Sequence, residues 1–132
     1  MTDDELDALR ERRREELERQ LSVPASPGAP IEVDGPDHFA EVVRTHDVVL
    51  VDFYADWCGP CKMLEPTVEA IAAETDATVA EVDIDVHQSL AAQHRVRGVP
   101  TLVLYADGEP VEHLVGVQDR ATLESLIDRH LA

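Results

Sequence analysis

The chain has 132 residues, 44% of them hydrophobic, which suits one packed domain with an appendage. Its 28 acidic and 11 basic side chains leave a formal net charge of −17, a charge that repels phosphate and excludes nucleic-acid binding. No apolar run reaches about 18 residues and the start, MTDDELDALR, is acidic, so neither a membrane span nor a secretory signal is expected and the location reads as cytoplasmic.

In chain order, residues 1–21 read as a charged N-terminal helix or tail. Thr2 and Glu5 fit a capping box, and the pairs Arg12–Glu16 and Glu15–Arg19 add i,i+4 support. The apolar stripe of Leu6, Leu9, Leu17 and Leu21 is thin and interrupted by Arg13, which leaves two readings, a solvated tail and a partner-binding helix. Residues 22–30, SVPASPGAP, read as a proline-rich linker. A folded domain is expected over 31–132. IEV is a short strand, DHFAEVVRTH a helix, and VVLVDFYA a buried strand by its β-branched content. PCKMLEPTVEAIAAE is a helix kinked at Pro66, ATVAEVDID a strand and HQSLAAQHR a helix. TLVLYA is a strand that DGEP turns into VEHLVG, and DRATLESLIDRHL is a final amphipathic helix capped by Asp119. The order β-α-β-α-β-α-β-β-α predicts an α/β fold whose central sheet mixes parallel strands with a C-terminal hairpin.

Cys58 and Cys61 are the chain's two cysteines. A zinc site needs about four ligands, and none of the six histidines forms a metal-type H-x-x-x-H pair. A disulfide closing so short a loop removes little unfolded-state entropy, about 2 kcal/mol, and a cytosolic compartment keeps ordinary disulfides reduced. A reactive dithiol explains more. Cys58 stands where a strand gives way to a helix, and there the helix N-terminus stabilises a thiolate. Gly59 and Pro60 let the chain turn into the helix, and Cys61 falls within its first turn.

WCGPCK resembles the active-site motif of the thioredoxin family. The resemblance spans residues 31–132. VDFYADWCGPCKMLEP is similar to the family's strand, active site and kinked helix, RGVPT to the segment that carries its cis-proline, and Gly116 to a glycine near its active-site surface. It implies a thioredoxin fold, here with an N-terminal helical extension, and a monomeric disulfide reductase. In that reading Cys58 is the nucleophile and Cys61 the buried resolving thiol. Trp57 shields the pair and offers apolar surface to a protein substrate, with ordinary core packing as the alternative. Val99, Pro100, Thr101 and Gly116 form the substrate-binding surface, with the cis bond at Pro100. The redox group is the Cys58–Cys61 disulfide itself, with no bound cofactor or metal. Protein disulfides are the substrates and a thioredoxin reductase, an NADPH-fed flavoprotein, is the electron donor. GP between the cysteines resembles the reducing members; an oxidase or isomerase, or a binding module with idle cysteines, are the alternatives.

Asp52 interrupts the apolar run VVLVDFY on the face shared by Leu50 and Tyr54. It is either an edge-strand carboxylate reaching water or, as the resemblance implies, a buried general base beneath Cys61. Glu81 departs from the family, many members of which carry a lysine there. A carboxylate in that place removes a counter-ion and, if close, pushes the pKa of Asp52 upward. The net charge also fits a protein adapted to concentrated salt, in which self-repulsion is screened.

Overall fold

A computed structural model describes residues 2–22 and 27–131 of the chain, the backbone alone over 16–22. The first element is the helix α1, Asp3–Ser22, opened by the Thr2 hydroxyl, which accepts a hydrogen bond from the Glu5 amide at 3.3 Å. Its Leu6 and Leu9 are exposed. The Arg12–Glu16 and Glu15–Arg19 pairs, the side chains of Leu17 and Leu21, and residues 23–26 of the linker lie outside the described residues.

Five strands follow, β1 (Ile31–Glu32), β2 (Val48–Tyr54), β3 (Thr78–Asp83), β4 (Thr101–Ala106) and β5 (Glu109–Val115). They form one sheet in the order β1-β3-β2-β4-β5, with β1, β3 and β2 parallel and β4 and β5 antiparallel. The helices α2 (Pro36–Thr45), α3 (Gly59–Glu74), α4 (Gln88–Gln93) and α5 (Arg120–Leu131) cover its two faces. Alternation along β2 sorts the core. Val49, Val51 and Phe53 pack with Phe39, Val42 and Val43 of α2 and Leu90 of α4. Val48 and Leu50 pack on the other face with Leu64, Val68 and Ile71 of α3 and Leu123 and Ile127 of α5. Helices on both faces of this mixed sheet follow from central strands that are apolar on both sides.

Three boundaries differ by two residues from those expected. β3 ends at Asp83 because its carboxylate accepts the amides of Asp85 and Val86, turning the chain away from the sheet. α4 is six residues long and stops where Arg95 takes a left-handed φ of 56°. β5 starts at Glu109, two residues early, because Asp107 and Gly108 both have positive φ, 52° and 81°. That is the two-residue hairpin turn whose twist matches the strands. Asp119 caps α5 as expected, accepting the Thr122 amide at 2.7 Å. α3 runs on through Pro66 to Glu74.

Candidate active site

β2 lies at the centre of the sheet, and the chain leaves its end at Tyr54 to enter α3 at Gly59. Cys58 is the N-cap of that helix and Pro60 sits in its first turn, where no backbone N–H is needed. Cys58 Sγ accepts the Cys61 amide at 3.1 Å, as a capping side chain does, and the two cysteines are joined as a disulfide with Cα atoms 5.3 Å apart. One of the helix's orphan amides therefore points at this sulfur. Both cysteines are buried, at 3% and 4% exposure, so accessibility does not separate nucleophile from resolving thiol. Their surroundings differ.

Cys58 faces the candidate substrate side. Its Sγ is 3.6 Å from the carbonyl oxygen of Val99, and the Val99–Pro100 peptide bond is cis. Gly116, with φ 90°, donates its amide to the Pro100 carbonyl at 2.8 Å, which brings the end of β5 beside the same segment. Thr101 is buried and its hydroxyl donates to the Gly98 carbonyl, fixing the turn that precedes β4. Trp57 is 70% exposed, which rules out a core role; its indole N–H donates to Asp85 at 2.9 Å. Val115 and Val117, on either side of Gly116, are also exposed.

Cys61 faces the other way, into a cleft of about 170 Å³ that Asp52, Tyr54, Asp56, Lys62, Glu65 and Glu81 also line. Asp52 is 3% exposed on a central strand, so it does not reach water from a sheet edge. Its Oδ1 is buried without a hydrogen-bond partner. Burial above all, then the charges of Glu81, Glu65 and Glu32, lift its pKa to about 7. Glu81 is the register partner of Asp52 on β3 and lines the same cleft. Its own pKa is also raised to about 7, first by burial, then by Glu32, Glu65 and Glu69, with a hydrogen bond to Glu32 adding to the effect. Glu81 thus bears on Asp52 as a like charge in the same cleft.

Four further residues at the site are not singled out by the sequence reading. Glu65 stands one helical turn after Cys61, a spacing that could have found it. Glu32 reaches Glu81 through the β1–β3 register, and Tyr54 donates its hydroxyl to Glu32 at 2.6 Å. Asp85 holds Trp57 from the turn after β3. Among the described residues no group of three acidic, histidine or cysteine side chains could hold a metal ion.

A family model described as Thioredoxin matches residues 30–129. The thioredoxin of Chlamydia trachomatis serovar D is 45% identical over 101 residues, covering 76% of this chain and 98% of that one. A bifunctional thioredoxin reductase/thioredoxin of Mycobacterium leprae is 43% identical over 98 residues, 73% of this chain and 21% of its own length. Among solved structures, a mutant thioredoxin from Halobacterium salinarum NRC-1 superposes with a TM-score of 0.78 at 56% identity, covering 81% of this chain and 95% of that one.

Proposed function

The chain belongs to the thioredoxin family, and from that premise we propose how its dithiol works. It is a thiol–disulfide oxidoreductase of the disulfide-reductase type, and its redox-active group is the Cys58–Cys61 pair. Cys58 is the nucleophile. Its thiolate attacks one sulfur of a substrate disulfide, forming a mixed disulfide and releasing the substrate's other sulfur as thiolate. Cys61 loses its proton to Asp52 and attacks Cys58 Sγ, which closes the intramolecular disulfide and frees the second substrate sulfur. The position of Cys58 as the cap of α3, accepting the Cys61 amide, carries this reading.

Val99, Pro100, Thr101 and Gly116 hold an extended substrate segment against Cys58, Gly59 and Pro60 shape the turn, and Trp57 offers it apolar surface. Asp52 is the general base, and a pKa near 7 suits it to accept a proton at neutral pH. Glu81 holds that pKa up where a lysine would lower it. The oxidised protein is returned to the dithiol by a thioredoxin reductase; the Mycobacterium leprae relative, which names both activities in one chain, supports that pairing. The family resemblance points to an NADPH-fed flavoprotein as that donor, and those cofactors belong to the partner, since this sequence has no G-x-G-x-x-G motif. The protein acts in the cytoplasm as a monomer, with residues 31–132 as the working domain and 1–30 as an extension.

The test is the reduction potential of Cys58–Cys61, measured by thiol trapping across dithiothreitol ratios. A potential well below that of the glutathione pool is expected. One well above it assigns an oxidase or isomerase, the difference being read at about 30 mV for each 1.4 kcal/mol.

A further inference from the structure

Three carboxylates cross the sheet in a single row. Glu32 on β1 is level with Glu81 on β3, and Glu81 is level with Asp52 on β2, so the three side chains share one face of strands spaced about 4.8 Å apart. Exposure rises along the row, from Asp52 in the core, through half-buried Glu81, to exposed Glu32. Tyr54 closes the outer end with its hydrogen bond to Glu32. The inner end is the unpartnered Oδ1 of Asp52, in the cleft that Cys61 lines.

Resting on the reading of Asp52 as the base for Cys61, we propose that the proton Asp52 accepts leaves along this row, to Glu81 and then to Glu32 at the sheet edge. Glu81 and Glu32 are then positioning residues that reset the base. The step balances. The Cys61 S–H bond breaks and Asp52 gains the proton; Cys61 thiolate forms the disulfide with Cys58; the departing substrate thiolate takes a proton from water. Asp52 then hands its proton to the Glu81 carboxylate, Glu81 hands one to Glu32, and Glu32 releases it to solvent.

A row suits this because a proton on a buried carboxyl needs a near neighbour of similar affinity, and Asp52 and Glu81 are both held near 7. Tyr54 is held in its neutral, hydrogen-bonding form by burial and by Glu32, so it donates to Glu32 without competing for the charge. The other groups facing Asp52 come from α3 and the turn before it. Asp56, Lys62 and Glu65 line the cleft, and Glu69 adds its charge to Glu81. Of these, exposed Glu65 is the competing exit.

The experiment is the rate at which the full chain, with dithiothreitol in excess, repeatedly reduces a chromogenic aromatic disulfide, so that Asp52 must be reset in every cycle, followed from pH 5 to 9 in dilute buffer after subtraction of the uncatalysed rate. The variants are Glu81→Gln, Glu32→Gln, Glu65→Gln and Asp52→Asn. Glu81→Gln and Glu32→Gln are each expected to lower the alkaline plateau several-fold and to move the midpoint to lower pH. Added imidazole is expected to restore the plateau and leave the midpoint where it is. A midpoint shift with an unchanged plateau shows electrostatics alone and overturns the row, as does a plateau loss confined to Glu65→Gln. If Asp52→Asn leaves the step unchanged, the base itself is wrong. If Asp52→Asn slows it and the two glutamate variants do not, the base stands and the row falls.

Discussion

The two faces of β2 differ at one residue. Toward α2 and α4 the strand presents Val49, Val51 and Phe53, all buried among apolar side chains. Toward α3 and α5 it presents Val48 and Leu50, and then Asp52. Both faces are sealed by helices, so the same alternation that makes a valine stabilising at 51 makes a carboxylate costly at 52. The apolar face holds the sheet and helices together. The broken face gives up part of that stability where α3 delivers Cys61. A fold tolerates such a site because the rest of the sheet is apolar enough to hold it.

The apolar face can be broken directly. Phe53→Ala is expected to cost about 3–5 kcal/mol of unfolding free energy, as a fully buried aromatic truncated in a packed core does. In a denaturant titration the reduction potential of the surviving folded protein should stay unchanged; a large shift in potential would show that the two faces are not separable.

Asp52→Asn should act with the opposite sign. The folded state raises the Asp52 pKa from 3.8 to about 7, so it favours the protonated carboxyl. The stability this gives is full below about pH 4 and is lost as pH rises to about 7, by at most about 4 kcal/mol. Asparagine escapes that loss. The variant should be more stable than the parent at pH 8 and equal to it near pH 4, as chemical denaturation at the two pH values would report. A variant less stable at pH 8 would mean that the carboxylate is held by partners that favour its charge.

A finer contrast lies within the broken face. Glu81→Lys replaces a like charge beside Asp52 with an opposite one, which should move the midpoint of the pH–rate profile for disulfide reduction down by about one unit. An unchanged midpoint would mean that Glu81 does not act on Asp52. The smallest effect concerns the surface rather than either face. With a net charge of −17, raising salt from dilute to molar should lift the melting temperature by several degrees through screening of self-repulsion. A flat response would remove the case for salt adaptation.

The strands β2, β3 and β4, the helices and the hairpin were legible because period and turn residues act locally. Asp107–Gly108 marks its turn by type, although the strand that starts right after it needs the positive φ of both residues to be placed. The cysteine motif, at the strand–helix junction, was legible for the same local reason. The exposure of Trp57 was not legible by residue type, since an aromatic side chain reads as core until the surface around it is known, and came only from the family resemblance. Nor was the row of Glu32, Glu81 and Asp52. Its members are brought level by the register of three strands, and no spacing along the chain encodes that alignment. The equal burial of Cys58 and Cys61 also belongs to tertiary structure, and only their neighbours tell them apart.

The most direct test of a costly carboxylate kept on the broken face is the titration of Asp52 itself, followed by carbon NMR of its side-chain carboxyl in the full chain. An inflection near pH 7, with Glu81 titrating over the same range, is the expected result. An Asp52 inflection near pH 4 would show an ordinary solvated acid and would contradict the account.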